Sequence, residues 1–171
     1  MRTACLDYAP LGAGAVTLVD VKAAYARVLY ESFQSPNEGN AQGLLLPVVV
    51  EVGQPSMAVA LPRLEALERM GLVMRPLSQT SLLVEAIPSS LQNQDVAAWV
   101  ADLLDQLQSQ PEQPLERAAC RSALRAPHSW TLQEVRPLVE QLMRCREPRV
   151  SPFGKPTLVV LSSDEIARYF H

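Results

Sequence analysis

The side chains best suited to bind a metal ion are few and scattered in this sequence. The three cysteines, Cys5, Cys120 and Cys145, form no CxxC pair, and there are two histidines, His128 and His171. Catalytic transition-metal sites rely mostly on imidazole, completed by thiolate and carboxylate ligands. The cysteine spacing also predicts neither a disulfide framework nor a zinc ribbon, which favours a reducing compartment. We therefore expect no metal and no other cofactor.

Basic side chains recur at helical spacing in the second half of the chain. Arg117, Arg121 and Arg125 stand at i, i+4 and i+8 and form one stripe on a predicted helix. Such a stripe can contact DNA phosphates, although it is more often a solvated or ion-paired face. The formal net charge of -3 argues against holding duplex DNA by bulk electrostatics and leaves room only for a weak local contact.

The composition is that of a globular chain with a packed interior. Of 171 residues, 48% are apolar and 5% aromatic, which is enough for one large domain or two small lobes. No apolar run approaches the ~18 residues of a transmembrane helix, and Asp7 lies too early for a signal peptide. We expect no membrane association and a cytoplasmic location.

The two ends of the chain predict strands and helices in alternation. A Pro/Gly-rich joint at residues 9–14 suggests a hairpin whose second strand is Ala15–Val19. Asp20 then predicts the N-cap of a helix that runs to about Phe33. The C-terminal elements are predicted as helices over Leu115–Ala126 and Leu132–Cys145, the second with a Thr131/Glu134 capping box, a strand over Thr157–Leu161 and a last helix capped by Ser163.

The middle of the chain predicts a β-α-β-β-α unit. Leu44–Val52 is a continuous apolar run typical of a buried strand, and the helix after it runs from Pro55 to Met70, before Gly71. Two short strands follow, and Asp95 caps a helix that reaches Leu107. We therefore predict an α/β (α+β) fold of two lobes. Residues 48–110 form an inserted lobe, and residues 1–47 and 111–171 form the other.

Four segments carry motifs in a fixed order. Residues 20–31 resemble D-Q-H-A-A-x-E-R-x-x-Y-E, residues 119–126 resemble A-C-[KRH]-x-A-[VI]-[KR]-A, and residues 151–157 stand in place of C-P-H-G-R-P-T. Residues 163–170 resemble a terminal helix. Together these segments resemble the C-terminal domain of the MutL family of DNA mismatch-repair proteins. The resemblance implies a homodimer that works with other mismatch-repair proteins in the bacterial cytoplasm, at the nucleoid.

A fifth segment is similar to the Q-x-L-L-x-P peptide by which MutL proteins contact the replication sliding clamp. It consists here of Gln42, Leu44, Leu45, Leu46 and Pro47, with a glycine after the glutamine. An extended apolar peptide suits a groove because alternate side chains fill pockets while the backbone pairs. The alternative interpretation is that Leu44–Leu46 simply begin a buried strand.

The resemblance also implies that a metal-dependent nuclease site has been lost. In nuclease-active relatives, carboxylate, imidazole and thiolate side chains hold a divalent ion that activates water. The matched positions here are Asp20, Lys22, Ala26, Cys120, Ser151 and Phe153. Only Asp20 and Cys120 could still be ligands, and they are better explained as an N-cap and a small buried hydrophobe. Lys22 is predicted to pair with Asp20 or Glu31 where the ion used to bind.

The sequence therefore predicts a homodimerisation and partner-docking domain of a MutL-like protein that is not an enzyme. Three apolar surfaces are candidates for the dimer contact: Ala15–Val19, Thr157–Leu161 and the face of Leu132–Leu142. One rival function is a DNA nicking endonuclease with a metal site rebuilt from Asp20, Cys120, His128 and nearby acidic residues. The other is an oligomeric interaction module unrelated to repair, which would bind no clamp.

Overall fold

The computed structural model describes residues 3–6, 15–35, 41–91, 94–125 and 129–168. The predicted hairpin turn at residues 9–14, together with His128 and His171, lies outside the described residues. Among the helices of the described ranges, none has the length and apolar character that crossing a bilayer requires. Helices and antiparallel sheets both occur, which confirms the α+β fold class.

The chain forms two compact units. Residues 1–28 and 128–171 make the first unit, and residues 29–127 make the second. In chain order the elements are β1 (Thr3–Leu6), β2 (Ala15–Asp20), α1 (Val21–Gln34), β3 (Ala41–Glu51), α2 (Gly53–Ala60), α3 (Leu64–Arg69), β4 (Val73–Pro76), β5 (Ser81–Pro88), α4 (Val96–Ser109), α5 (Leu115–Ala123), α6 (Leu132–Arg144), β6 (Leu158–Ser162) and α7 (Ser163–Ala167).

The first unit contains an antiparallel sheet in the order β1-β2-β6 with α6 packed on one face. The apolar side chains of α6 recur at i, i+3, i+4 and i+7, the spacing that places them on one side of a helix. Together with β2 and the start of α1 they form one buried cluster: Val19, Val21, Ala24, Val135, Leu138, Val139 and Leu142. This face of α6 is therefore core, and its prediction as a dimer surface is wrong.

Capping side chains fix the ends of two helices in the first unit. The Thr131/Glu134 capping box of α6 is present, as predicted. Ser162, rather than the predicted Ser163, caps α7, because the extended backbone of β6 continues through Ser162. Hydrogen bonds from the backbone and side chain of Ser162 lower the pKa of the Glu165 carboxyl below its usual range.

The second unit contains a sheet in the order β3-β5-β4, in which β5 is the central strand. Leu82 and Val84 of β5 are fully buried, as are Leu67 and Leu103 on the helices. The helix predicted from Pro55 to Met70 is interrupted by a 3-10 turn at Leu61–Arg63. The interruption contains Pro62, which has no backbone N–H to donate to the preceding turn. Gly71 follows with φ of 93°, the left-handed conformation that suits its predicted place after the helix.

Helix α5 packs on α4 inside this second unit. The Trp99 indole Nε1 donates to the Ala119 carbonyl at 3.3 Å, and the Ser122 hydroxyl donates to the Trp99 carbonyl at 2.9 Å. Asp95 caps α4 as predicted, accepting from the Ala98 N–H at 3.1 Å. The second unit thus extends past the predicted limit of residue 110, because α5 covers the apolar face of α4.

Candidate functional site

Asp20 lies at the junction between β2 and α1, where its side chain closes the helix end. Its Oδ1 accepts a hydrogen bond from the Ala23 N–H at 3.0 Å. Its own backbone N–H donates to the Thr157 carbonyl at 2.9 Å, next to β6. The predicted N-cap role is confirmed, and it occupies one carboxylate oxygen with a backbone donor. Lys22 is exposed, and no ion pair between it and Asp20 occurs in the part of the chain that the structure describes.

Arg27 joins α1 to the segment after α6. Its side chain is buried, yet it carries a permanent charge, so it requires partners. Its Nε donates to the Val150 carbonyl at 2.6 Å, and its guanidinium lies 3.0 Å from the Glu147 carboxylate. The motif contains this arginine, but no role for it is evident from sequence. The feature of the sequence that could have indicated such a role is a cationic residue on a helix face that is otherwise apolar.

The segment from Glu147 to Thr157 is a compact loop held by its own backbone. The Thr157 N–H donates to the Arg149 carbonyl at 3.0 Å, and the Ser151 N–H donates to the Lys155 carbonyl at 2.7 Å. The buried Ser151 hydroxyl accepts from the Lys155 N–H at 3.0 Å. Gly154 has φ of 78°, which a residue with a Cβ adopts only with strain. These bonds define the conformation of the loop.

The positions matched to the nuclease motifs include few side chains with a ligand atom. Within the first unit, Ala26 is buried and has no donor atom, the Ser151 hydroxyl is engaged by the loop backbone, and Phe153 cannot ligate. Lys22 adds a positive charge to the same helix. A hard or borderline cation requires several oxygen, nitrogen or sulfur ligands that converge. Among the matched positions of the first unit, only Asp20 and Ser151 have a side-chain oxygen, and each accepts a hydrogen bond from a backbone N–H.

Cys120 lies in the second unit, on α5, with its side chain fully buried. Such burial is typical of a cysteine that acts as a small hydrophobe and disfavours a reactive thiolate. Across the described ranges, no group of three or more His, Cys, Asp and Glu side chains is placed to hold a metal ion.

The clamp-like peptide forms a bulge on β3. Gly43 pairs with Ala86 of β5 and Val48 pairs with Val84, so Leu44–Pro47 all stand opposite the single residue Glu85. Leu45 and Leu46 are 102% and 80% exposed. The interpretation of Leu44–Leu46 as the start of a buried strand is therefore wrong for Leu45 and Leu46, which the bulge leaves in solvent, whereas Leu44 is half-buried. Val50 is the buried residue of this strand.

The predicted arginine stripe is shorter than expected, because α5 ends at Ala123 and Arg125 follows the helix. Arg125 forms an ion pair with Asp102 of α4. Arg121 is partly buried, and Arg117 is exposed. The contact of this stripe with DNA stays a prediction.

The face of the first unit's sheet opposite α6 is apolar. Val19 and Leu158 pair across β2 and β6 and belong to the core side. Because side chains alternate along a strand, the pairs Leu18–Val159 and Val16–Leu161 point to the other side. Val159 is 46% exposed, and the other three are partly exposed. We call these four side chains the outer sheet face.

Comparison with known proteins shows which family and which relatives this chain resembles. The model of the family described as "MutL C terminal dimerisation domain" matches residues 12–130. The chain is 32% identical over 165 residues to a DNA mismatch repair protein MutL from Opitutus terrae, an alignment covering 90% of this chain and 26% of that protein. It is 27% identical over 171 residues to the protein of the same name from Desulforamulus reducens, covering 93% of this chain and 27% of the relative. The chain thus spans about a quarter of the length of these relatives.

Proposed function

The chain belongs to the MutL C terminal dimerisation domain family, and on that premise we propose that it joins two copies of a MutL-like mismatch-repair protein and docks their partners without cutting DNA. Its place of action is then the bacterial nucleoid. Its partners are a second copy, the replication sliding clamp and other mismatch-repair proteins.

One observation carries the non-catalytic part of this proposal. At the positions where nuclease-active relatives place metal ligands, the first unit has an exposed ammonium at Lys22, a buried methyl at Ala26 and a phenyl ring at Phe153. Asp20 remains, but it caps α1. A divalent ion lowers the pKa of a bound water only where several ligands hold it.

The outer sheet face supports the dimerising part. It presents two aliphatic pairs on neighbouring strands, and β6 forms one edge of the sheet. Exposed apolar faces of this kind are typical of surfaces that bind another protein. A two-fold dimer would bring the same face of each copy together.

The bulge on β3 supports clamp docking. Leu45 and Leu46 project fully into solvent, whereas the flanking residues stay paired to β5. A peptide held in this way is ordered before it binds, which lowers the entropic cost of association.

We expect Leu45→Ala to weaken binding of the purified chain to the replication sliding clamp by at least about tenfold, because truncation of a central apolar anchor commonly costs about 2 kcal/mol. The melting temperature should not change, since this side chain makes no buried contact. Surface plasmon resonance on immobilised clamp measures the effect. Leu77→Ala is the matched control, a leucine of the same unit that is 52% exposed. Equal binding by wild type and Leu45→Ala, or no clamp binding at all, would favour an unrelated interaction module.

Calorimetric titration of the chain with Zn²⁺ and with Mn²⁺ tests the absence of a nuclease centre. We expect no stoichiometric uptake of either ion, because the ligand set does not converge. The informative variants are Asp20→Asn, which keeps a capping side chain, and Cys120→Ala. Tight binding that either variant abolishes would instead establish a rebuilt metal site and the rival nicking activity.

A further inference from the structure

We propose that the unpaired edge of β3 binds an extended, positively charged segment of another protein, which adds a strand to the sheet of the second unit. Strand β3 lies at one end of the order β3-β5-β4, so only one of its two edges is paired within that sheet. An unpaired edge presents a row of backbone donors and acceptors on which a further strand can form. The proposal concerns residues 48–51, here named the β3 edge, and it rests neither on dimerisation nor on clamp docking.

The hydrogen bonds of the sheet identify which backbone groups of β3 face away from β5. The Val52 N–H donates to the Thr80 carbonyl at 2.9 Å, in register with the pairing of β3 and β5. In an antiparallel ladder, residues that bond to the neighbouring strand alternate with residues whose N–H and carbonyl point to the other side. Val50 therefore also bonds to β5, whereas the backbones of Val49 and Glu51 point away from it.

The central strand gives the same assignment independently. The Ser81 carbonyl accepts from the Leu77 N–H at 3.0 Å, so the backbone of Ser81 faces the β4 side of the sheet. Glu51 stands opposite Ser81, and Val49 stands opposite Leu83. Among the described residues, no further hydrogen bond engages the backbone of Val49 or Glu51. The N–H and the carbonyl of both residues are thus available at the β3 edge.

The side chains of the β3 edge place an apolar contact beside one unpaired charge. Val49 is 49% exposed and Glu51 is exposed, and both project from the sheet face opposite the buried Val50. The neighbouring carboxylate on this face, that of Glu85, pairs with Arg75 at 3.0 Å. In the part of the chain that the structure describes, no ion pair engages the carboxylate of Glu51. Glu51 therefore remains available to a cation from outside.

Charge complementarity favours a cationic partner. Residues 29–127 include eleven acidic and six basic residues, so the second unit as a whole attracts positive charge. Opposite charges that face each other across antiparallel strands are stabilising, whereas like charges are destabilising. A second copy of β3 would bring a further carboxylate and no cation, because Ala41–Glu51 contains no basic residue. An acidic segment would be repelled for the same reason.

The geometry of the β3 edge also sets a residue pattern for the partner segment. In an antiparallel arrangement, the partner residue opposite Glu51 comes two positions before the residue opposite Val49. Directly opposed side chains lie on the same face of a sheet. We therefore expect a cation two residues before an aliphatic side chain, with the partner backbone bonded to the β3 edge at both positions.

Fluorescence anisotropy with labelled peptides tests the proposal. The probe is a threonine-rich peptide in which a lysine precedes a valine by two residues. One related peptide replaces the lysine with glutamate, and another carries a methyl group on the amide nitrogen of the valine. The wild-type chain should bind the lysine peptide about fivefold more tightly than the glutamate peptide at low salt, because an attractive cross-strand pair becomes repulsive. Methylation removes a backbone donor but no side chain, and it should weaken binding at least about tenfold.

Variants of the chain test the same contact from the other side. Val49→Pro removes the outward N–H, which an edge strand tolerates, and should weaken binding of the lysine peptide about tenfold. The matched control Val49→Thr retains the N–H and the β-branched shape, and it should bind as wild type does. Glu51→Lys should reverse the preference, so that the glutamate peptide binds more tightly. Circular dichroism and thermal unfolding establish that each variant is folded.

The proposal is overturned if the wild-type chain binds none of these peptides at millimolar concentration, or binds the methylated peptide as tightly as its parent. It is also overturned if Glu51→Lys keeps the wild-type preference. Sedimentation identifies the other occupant, because an edge that pairs with a second copy would give Val49→Pro a lower oligomeric state than Val49→Thr. Leu45→Ala should bind the lysine peptide as wild type does, so a failure of clamp docking is distinguished from a failure at the β3 edge.

Discussion

Val159→Asp is expected to convert the chain from a dimer to a folded monomer at micromolar concentration. Val159 pairs with Leu18 on the outer sheet face and is 46% exposed, so a carboxylate there remains hydrated in the monomer. In a two-fold dimer the change places two uncompensated carboxylates in an apolar contact, and burying each without a partner costs several kcal/mol. We therefore expect a rise of at least about a hundredfold in the dissociation constant. Analytical ultracentrifugation over a range of concentrations measures it.

Val49→Asp is the matched control for this experiment. Val49 is also a strand valine, 49% exposed, but it lies on β3 in the second unit. It should leave the dimer intact, and circular dichroism should show both variants folded. Persistence of the Val159→Asp dimer with wild-type affinity would remove the outer sheet face from consideration as the dimer contact.

Arg27→Met is expected to lower the free energy of unfolding by about 2 kcal/mol, roughly a thirtyfold change in the unfolding equilibrium, because a charge-assisted hydrogen bond made by a buried side chain is lost. The Val150 carbonyl accepts from Arg27 at 2.6 Å and would be left without it. The ion pair adds little, since Glu147 is 70% exposed and solvent screens it. Urea unfolding measures the change. Hydrogen exchange should locate it, with faster exchange at the amides of Ser151, Gly154 and Thr157.

Two substitutions distinguish this role of Arg27 from a general effect of charge. Arg136→Met removes an exposed arginine of α6 and should change stability by no more than about 0.5 kcal/mol. Glu147→Gln removes only the exposed half of the ion pair and should also have a small effect. Unchanged exchange in residues 150–157 of Arg27→Met would show that this side chain does not hold the loop.

The conformation of residues 147–157 is held mainly by hydrogen bonds between backbone groups. In addition, the Ser151 hydroxyl accepts from the Lys155 N–H, and the Arg27 Nε donates to the Val150 carbonyl.

The sequence by itself determined the features that depend on neighbours along the chain. The caps at Asp20, Asp95 and Thr131 involve donors or acceptors three residues away, and the apolar spacing of α6 is complete within two turns. The lack of a ligand atom in the side chains of Ala26 and Phe153 also follows from residue identity alone.

Only the tertiary structure decided which apolar or charged side chains would be covered. The run beginning at Leu44 is equally compatible with a core strand and an exposed bulge, and pairing with β5 selected the bulge. The face of α6 is core because β2, more than a hundred residues earlier in the chain, packs on it. Arg27 and Val150 are 123 residues apart in sequence, yet they share a hydrogen bond. Such contacts depend on how distant segments meet, and local spacing contains no information about that meeting.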